Sequence, residues 1–277
     1  MELGAYAQSC ANAYRDIGEA NGWRKGRNSP RGYDNLTMPS STWDDRPHER
    51  YLLVVNHHLS SAAAQVDACG GCYSAGNGSA VVTLARAVFV ESSRASWLLE
   101  ENVVWRQRAA RAHLELLVNL DGHVRRLPKR LESGYPSFRR RQWKAYREQL
   151  RDDVIDKLFG SRALSQKRED TTLTGEPLLT STQLERDFAD LLSINGFDAV
   201  GGVCVAAPDV LIDPSVSIAV PLNSPLVVAD RMVEKSLVIA VEAWLGALEA
   251  WVRYNAWEQG VVDRLGHQLP RLLRQAP

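Results

Sequence analysis

The segment Arg106-Gln107-Arg108-Ala109-Ala110-Arg111-Ala112-His113 sets three guanidinium groups close to one imidazole. An arginine can hold a phosphate through two parallel hydrogen bonds while a nearby histidine moves a proton. That is the equipment for cleaving RNA through its own 2′-hydroxyl. On a helix, about 100° per residue brings Arg106 and His113 to within about 20° of each other and leaves Arg108 about 140° away from His113. Arg106 and His113 then share the face that carries Leu116 and Leu117. An arginine and a histidine aimed at a core need partners, because unpaired burial is costly. The same residues therefore admit a second reading, a hydrogen-bonded core histidine beside an arginine that bridges to Glu91 or Glu242.

A second polar set lies in an apolar stretch. Between Val81 and Leu99 only Arg86, Glu91 and Arg94 carry charge. Glu91 and Arg94 are three apart and can pair on a helix, which leaves Arg86 to reach elsewhere. Glu242, inside the apolar run 237–252, is the natural opposite wall. Such groups make either a structural ion network or a polar ligand-binding pocket.

Cys69 and Cys72 have the spacing of half a zinc site or of a dithiol. A structural zinc needs two more ligands, and no second pair of this kind supplies them. The pair is also expected at a helix end, whereas a reactive dithiol lies at a helix start, where the backbone dipole favours the thiolate. The Glu-x-x-His pair of a carboxylate-bridged dimetal bundle is missing. So are a nucleophile elbow, a phosphate-binding glycine loop and a dinucleotide fingerprint. No metal and no cofactor are expected.

The elements that would position these residues are helical. Leu3, Tyr6, Cys10, Tyr14 and Ile17 recur at three and four, which predicts a helix over 1–22. The stretch 23–47 is rich in Gly, Asn, Ser, Pro and Arg and reads as a linker or ordered loop, and 48–277 as the main helical domain. A second helix is predicted over 49–68, ended by Gly70 and Gly71. A third, capped by Ser79, runs to about residue 100 and is apolar nearly all round, as helices in the middle of bundles are. The fourth covers 103–127. A fifth begins near Pro136, its buried stripe formed by Phe138, Trp143, Tyr146, Leu150 and Val154.

Residues 160–180 read as a surface loop, and Thr182 with Glu185 as the capping box of a sixth helix reaching Ser193. β-branched residues broken by Pro208, Pro214 and Pro221 make 203–225 short strands or an irregular flap. A long helix over 226–257, broken near Gly246, and a short one after Gly260 complete the chain. The expected fold is all-α, a bundle of about seven helices with a short irregular or β-like insertion near 203–225. Eight tryptophans include Trp244 and Trp251, which stand seven apart on one face and read as core, as the wall of a ligand pocket or as a dimer seam.

The chain balances 33 basic against 33 acidic residues, yet residues 106–151 hold thirteen Lys or Arg against four Asp or Glu. This local excess suits either docking to an anionic partner or neutralising acidic helices elsewhere. Four scattered cysteines and the lack of a secretory leader fit a reducing cytoplasm. The apolar run 237–252, interrupted by Glu242 and Glu249, is too short for a bilayer span, so no membrane is expected.

An Arg followed four to six residues later by His, on a helix of an all-helical domain, resembles the signature of the HEPN superfamily, many of whose members are dimeric ribonucleases of toxin and defence systems. The resemblance implies catalytic roles for Arg106 or Arg108 and for His113, with RNA or a nucleotide as substrate and a homodimer as assembly. The family's polar residue after the Arg is here Gln107 behind Arg106 or Ala109 behind Arg108. The run from Leu84 to Leu99, which includes Arg86, Glu91 and Arg94, is similar to a helix of uncharacterised bacterial helical proteins. Those proteins follow it with an Arg-rich helix and later carry Leu-Leu-Ser-x-x-His-Gly. The matching stretch here is Leu191-Leu192-Ser193-Ile194-Asn195-Gly196, one residue shorter and with Asn195 in place of the His.

Three functions follow as expectations. One is a HEPN-like hydrolase or RNA-binding protein with Arg106, Arg108 and His113 at its site. Another is a small-molecule enzyme or binding protein whose pocket uses Arg86, Glu91, Arg94, Ser193, Asn195 and Glu242. The last is a non-catalytic interaction subunit.

Overall fold

The computed structural model describes residues 2–37, 47–126, 135–160, 163–166, 171–177, 179, 183–184, 186–187 and 230–273. These are mostly helical, with one small three-stranded antiparallel sheet, so the chain is all-α with a short β insertion. The sheet lies within 164–177, where a surface loop was expected. The expected insertion at 203–225 and most of the sixth helix lie outside the described residues. The chain divides into two compact units, one made of residues 1–30, 57–99 and 180–277, the other of residues 31–56 and 100–179.

The first unit holds α1 (Leu3–Ala20), the later part of α3 (Pro47–Ser74), α4 (Gly78–Leu98), α8 (Asp230–Asn255) and α9 (Gly260–Leu273). Helix α8 packs along α4 and buries Leu237, Val241, Trp244, Leu248 and Trp251, the pattern of a central helix with little polar face to show. It runs unbroken through Gly246, contrary to the expected break. Packing on its neighbours outweighs the roughly 1 kcal/mol a mid-helix glycine costs.

Aromatic side chains bind this unit through their polar ends. Trp244 Nε1 donates to the Cys10 carbonyl at 2.9 Å, Trp257 Nε1 to the Arg24 carbonyl at 2.6 Å, and the Tyr6 hydroxyl to the Leu265 carbonyl at 2.6 Å. A buried indole or phenol needs such a partner, so each bond fixes where one element meets another.

Gly70 and Gly71 do not end a helix. Helix α3 continues through them to Ser74. A Cβ placed on Gly70 would lie 2.5 Å from the Gly4 carbonyl oxygen, and one on Gly4 would lie 2.8 Å from the Gly70 carbonyl oxygen. The glycines serve a close crossing of α1 over α3 rather than a cap. Cys69 and Cys72 consequently lie inside a helix. The cap of α4 is Asn77 rather than Ser79: Asn77 Oδ1 accepts from the Ala80 amide at 3.3 Å and from the Ser79 hydroxyl at 3.2 Å.

The second unit holds α2 (Pro30–Thr37) inside the expected linker, α5 (Trp105–Arg126), α6 (Tyr135–Glu148), a π-helical turn (Gln149–Ile155), α7 (Asp156–Phe159) and strands β1 (Leu164–Gln166), β2 (Thr171–Leu173) and β3 (Glu176–Pro177). Gln107 starts α5 by reaching back to accept from the Val104 amide at 3.0 Å. The core joins Ala110, Leu114 and Leu117 of α5 to Leu150, Ile155, Phe159 and Leu173. Thr174 and Gly175, at φ 54° and 86°, form the two-residue turn that pairs Leu173 with Glu176.

The stripe expected on the fifth helix is only partly buried. Trp143 and Leu150 pack inward, while Phe138 and Tyr146 are exposed. Five residues span about 140° of an α-helix, which turns Phe138 away from the Trp143 face. Beyond Glu148 the wider π turn re-phases the chain, so Leu150 and Ile155, also five apart, both reach the core.

Candidate functional site

Two arginines of α5, Arg108 and Arg111, are held by acids of their own unit. Arg108 is 3% exposed. Its guanidinium donates to both oxygens of Asp34, at 3.0 and 3.3 Å, and to the Glu100 and Glu101 carbonyls at 2.8 and 3.3 Å. Arg111 donates to Glu100 at 2.7 Å and to Glu176 at 2.8 Å. Glu176 also accepts from Gln107 at 2.7 Å, so the small sheet delivers one carboxylate to two residues of α5. Burial of a cation is tolerated when an anion is paired with it and further acceptors surround it.

His113 is 0% exposed. Its Nδ1 lies 2.7 Å from the Ala109 carbonyl, and because a carbonyl only accepts, Nδ1 carries the proton. The ring edge meets Phe159 at 5.7 Å between centroids. Arg106 stays exposed, with its guanidinium 5.9 Å from the same ring and a bond to the Phe159 carbonyl at 3.3 Å. The shared face of Arg106 and His113 thus meets Phe159. Arg108 is turned to Asp34 instead.

In the first unit, Arg86 and Arg94 are half-buried on α4. Glu91 accepts from His58 of α3 at 2.6 Å. Glu242 is half-buried on α8, and burial raises its carboxyl above the ordinary range. Tyr6 is raised strongly by burial and then by the nearby Cys10 and Glu242, while burial pushes the Cys10 thiol up to about 11. The Tyr6 hydroxyl and the Cys10 thiol are held protonated, the opposite of an activated thiolate. Ser193 and Asn195 lie outside the described residues.

Two features went unread in the sequence. One is His58, which stands three residues after Val55 and four before Ala62 on the apolar stripe of α3. A polar residue on such a stripe was the available signal. The other is the outer face of α6. Phe138 is 56% exposed and Tyr146 45% exposed, with Arg141, Gln142 and Lys144 also in solvent.

At about 100° per residue these five side chains share one arc of about 200°, ordered Lys144, Arg141, Phe138, Gln142, Tyr146, with the exposed Ala145 and Glu148 inside it. Trp143 anchors the helix from outside that arc. Flat aromatic surfaces interleaved with cations suit a chain of bases and phosphates.

Among the described residues no group of three or more His, Cys, Asp or Glu is placed to hold a metal ion, and no helix is long and apolar enough to cross a membrane. Comparison of the chain with family models, with characterised proteins and with solved structures gives no match.

Proposed function

We propose that the protein binds single-stranded RNA through the exposed face of α6, with the arginines and histidine of α5 serving as the frame of that unit. The observation that carries this reading is the pair of solvent-exposed rings, Phe138 and Tyr146, set among Arg141, Gln142 and Lys144 on a helix whose other side is packed. An exposed aromatic ring gains little from water but offers a stacking face to any base, and each stacked base contributes about 1–3 kcal/mol. The neighbouring cations neutralise phosphates and release condensed counterions.

The HEPN-like resemblance of Arg106, Arg108 and His113 gives RNA as the partner. The hydrogen bonding of those residues supports a binding role in preference to cleavage. Arg108 and Arg111 already hold carboxylates, and the imidazole of His113 is sealed. A phosphate reaching Arg108 would have to displace Asp34, which is itself 1% exposed.

Fluorescence anisotropy with a labelled single-stranded RNA tests the proposal. Binding at low salt that weakens steeply as salt rises is the expected result. Indifference to RNA at low salt would end it. Affinity equal for duplex and single strand would remove the stacking argument, since paired bases do not offer their faces.

A further inference from the structure

Helix α6 carries Phe138, Gln142 and Tyr146 at intervals of four, and all three are exposed. Successive members of such a row turn by about 40° and rise by about 6 Å, so the two rings stand about 12 Å apart along the axis with Gln142 midway between them. Ala145 and Arg141 follow on one side of the row, with Lys144 beyond them, all in solvent. On the other side Trp143 packs into the core. Glu148, the acid of this arc, comes last in the helix, beyond Tyr146.

Bases along one strand stack about 3.4 Å apart. Two bases closed off by a ring at each end need three such gaps, about 10 Å, and three bases need four, about 14 Å. The separation of Phe138 from Tyr146 falls between these values, so the pair suits a short run of stacked bases. A lone nucleotide is too thin to touch both rings.

Rings alone do not choose among bases, because every base has a flat face to stack. Choice is made at the edges, and Gln142 stands where the edge of a base in the middle of the run would lie. A glutamine amide holds a carbonyl that accepts beside an NH2 that donates. That pair matches adenine, whose N6 amine donates beside the accepting N7. On the same edge guanine offers acceptors only, uracil one oxygen and cytosine one donor.

We infer that this row takes a single-stranded run of about two or three stacked bases closed off by Phe138 and Tyr146, and that Gln142 selects adenine within it. This rests on the RNA reading of α6 and adds to it the length and the base. Gln142 is the specificity-determining residue. Arg141 and Lys144 meet phosphates without regard to sequence.

Fluorescence anisotropy with the full chain and labelled uridine pentanucleotides whose central base is adenine, hypoxanthine or uracil tests it. Hypoxanthine keeps the purine face and N7 but has an oxygen in place of the N6 amine. The adenine strand is expected to bind about tenfold more tightly than the hypoxanthine strand, as loss of a two-bond base contact implies. Gln142→Ala should bind the two purine strands equally, with its melting temperature unchanged because the side chain lies in solvent. Equal binding of the purine strands by the unaltered protein, or a preference that survives Gln142→Ala, would overturn the selection and leave the RNA reading standing. Adenosine monophosphate binding as tightly as the adenine strand would overturn the run of bases. No binding of any strand at low salt would remove the RNA reading and this inference with it.

Discussion

Arg108 of the second unit and His58 of the first are almost equally buried, yet their hydrogen bonding differs. The guanidinium of Arg108 meets two carboxylate oxygens and two carbonyls. His58 meets one carboxylate and leaves Nε2 bare among the described residues. Arg108 is thus engaged through both terminal nitrogens by an acid and two carbonyls of its own unit, whereas His58 is engaged through one nitrogen. Two arginines with the most obvious chemistry in the sequence, Arg108 and Arg111, are therefore the ones most heavily engaged by acids of their own unit.

The comparison is tested most severely by Arg108→Met. It takes from Asp34, 1% exposed, the guanidinium bonded to both its oxygens, and about 3–5 kcal/mol of stability should be lost in a urea melt of the full chain. His113→Ala should cost about 2–4 kcal/mol through the cavity beside Phe159, with RNA affinity kept in the folded fraction. His58→Leu, at equal burial, should cost no more than about 1.5 kcal/mol, because it removes an unsatisfied nitrogen and leaves Glu91 partly solvated. If His58→Leu proved as damaging as Arg108→Met, the distinction between the heavily bonded cation and the singly bonded imidazole would fail. Glu100→Gln is the mildest: its carboxylate is half-exposed and Glu176 still holds Arg111, so the change should stay within about 1 kcal/mol.

Glu242 adds a pH test within the first unit. Its carboxyl is raised by burial, so the folded state holds the proton more tightly than the unfolded chain does. Stability is then undiminished below the unfolded carboxyl range and falls as pH rises through the raised folded value. Glu242→Gln should flatten that slope and make the protein more stable at neutral pH. An unchanged slope in the melting temperature against pH would mean that another group carries it.

Much of the architecture was legible because apolar spacing is a direct record of which face is hidden. The three-and-four pattern places α1, α4, α5 and α8 to within a few residues of their observed bounds. It failed where burial depends on something other than period. Gly70 and Gly71 looked like a stop because glycine favours helix ends, but Gly70 lets the backbone of α3 touch that of α1 at Gly4, which only the three-dimensional crossing reveals. The stripe through Phe138 and Trp143 spaced its members five apart, about 140° on an α-helix, and only the π turn after Glu148 brings such a spacing, Leu150 to Ile155, onto one face.

At the candidate site, the shared face of Arg106 and His113 followed from helical arithmetic. The partners of Arg108 and Arg111 did not, because Asp34 and Glu176 arrive from α2 and from a hairpin read as a loop. The bond between His58 and Glu91 links residues 33 apart, beyond the reach of local spacing.

RNA affinity compared between two variants bears most directly on the division of labour in the second unit. Phe138→Ala with Tyr146→Ala removes the exposed rings, and His113→Gln alters only the sealed imidazole. The double variant is expected to lose on the order of tenfold or more in affinity, with its melting temperature nearly unchanged, while His113→Gln binds RNA as the unaltered chain does. Full binding by the ring-deleted protein, together with loss of binding or of RNA cleavage in a folded His113→Gln, would contradict it and return the active role to α5.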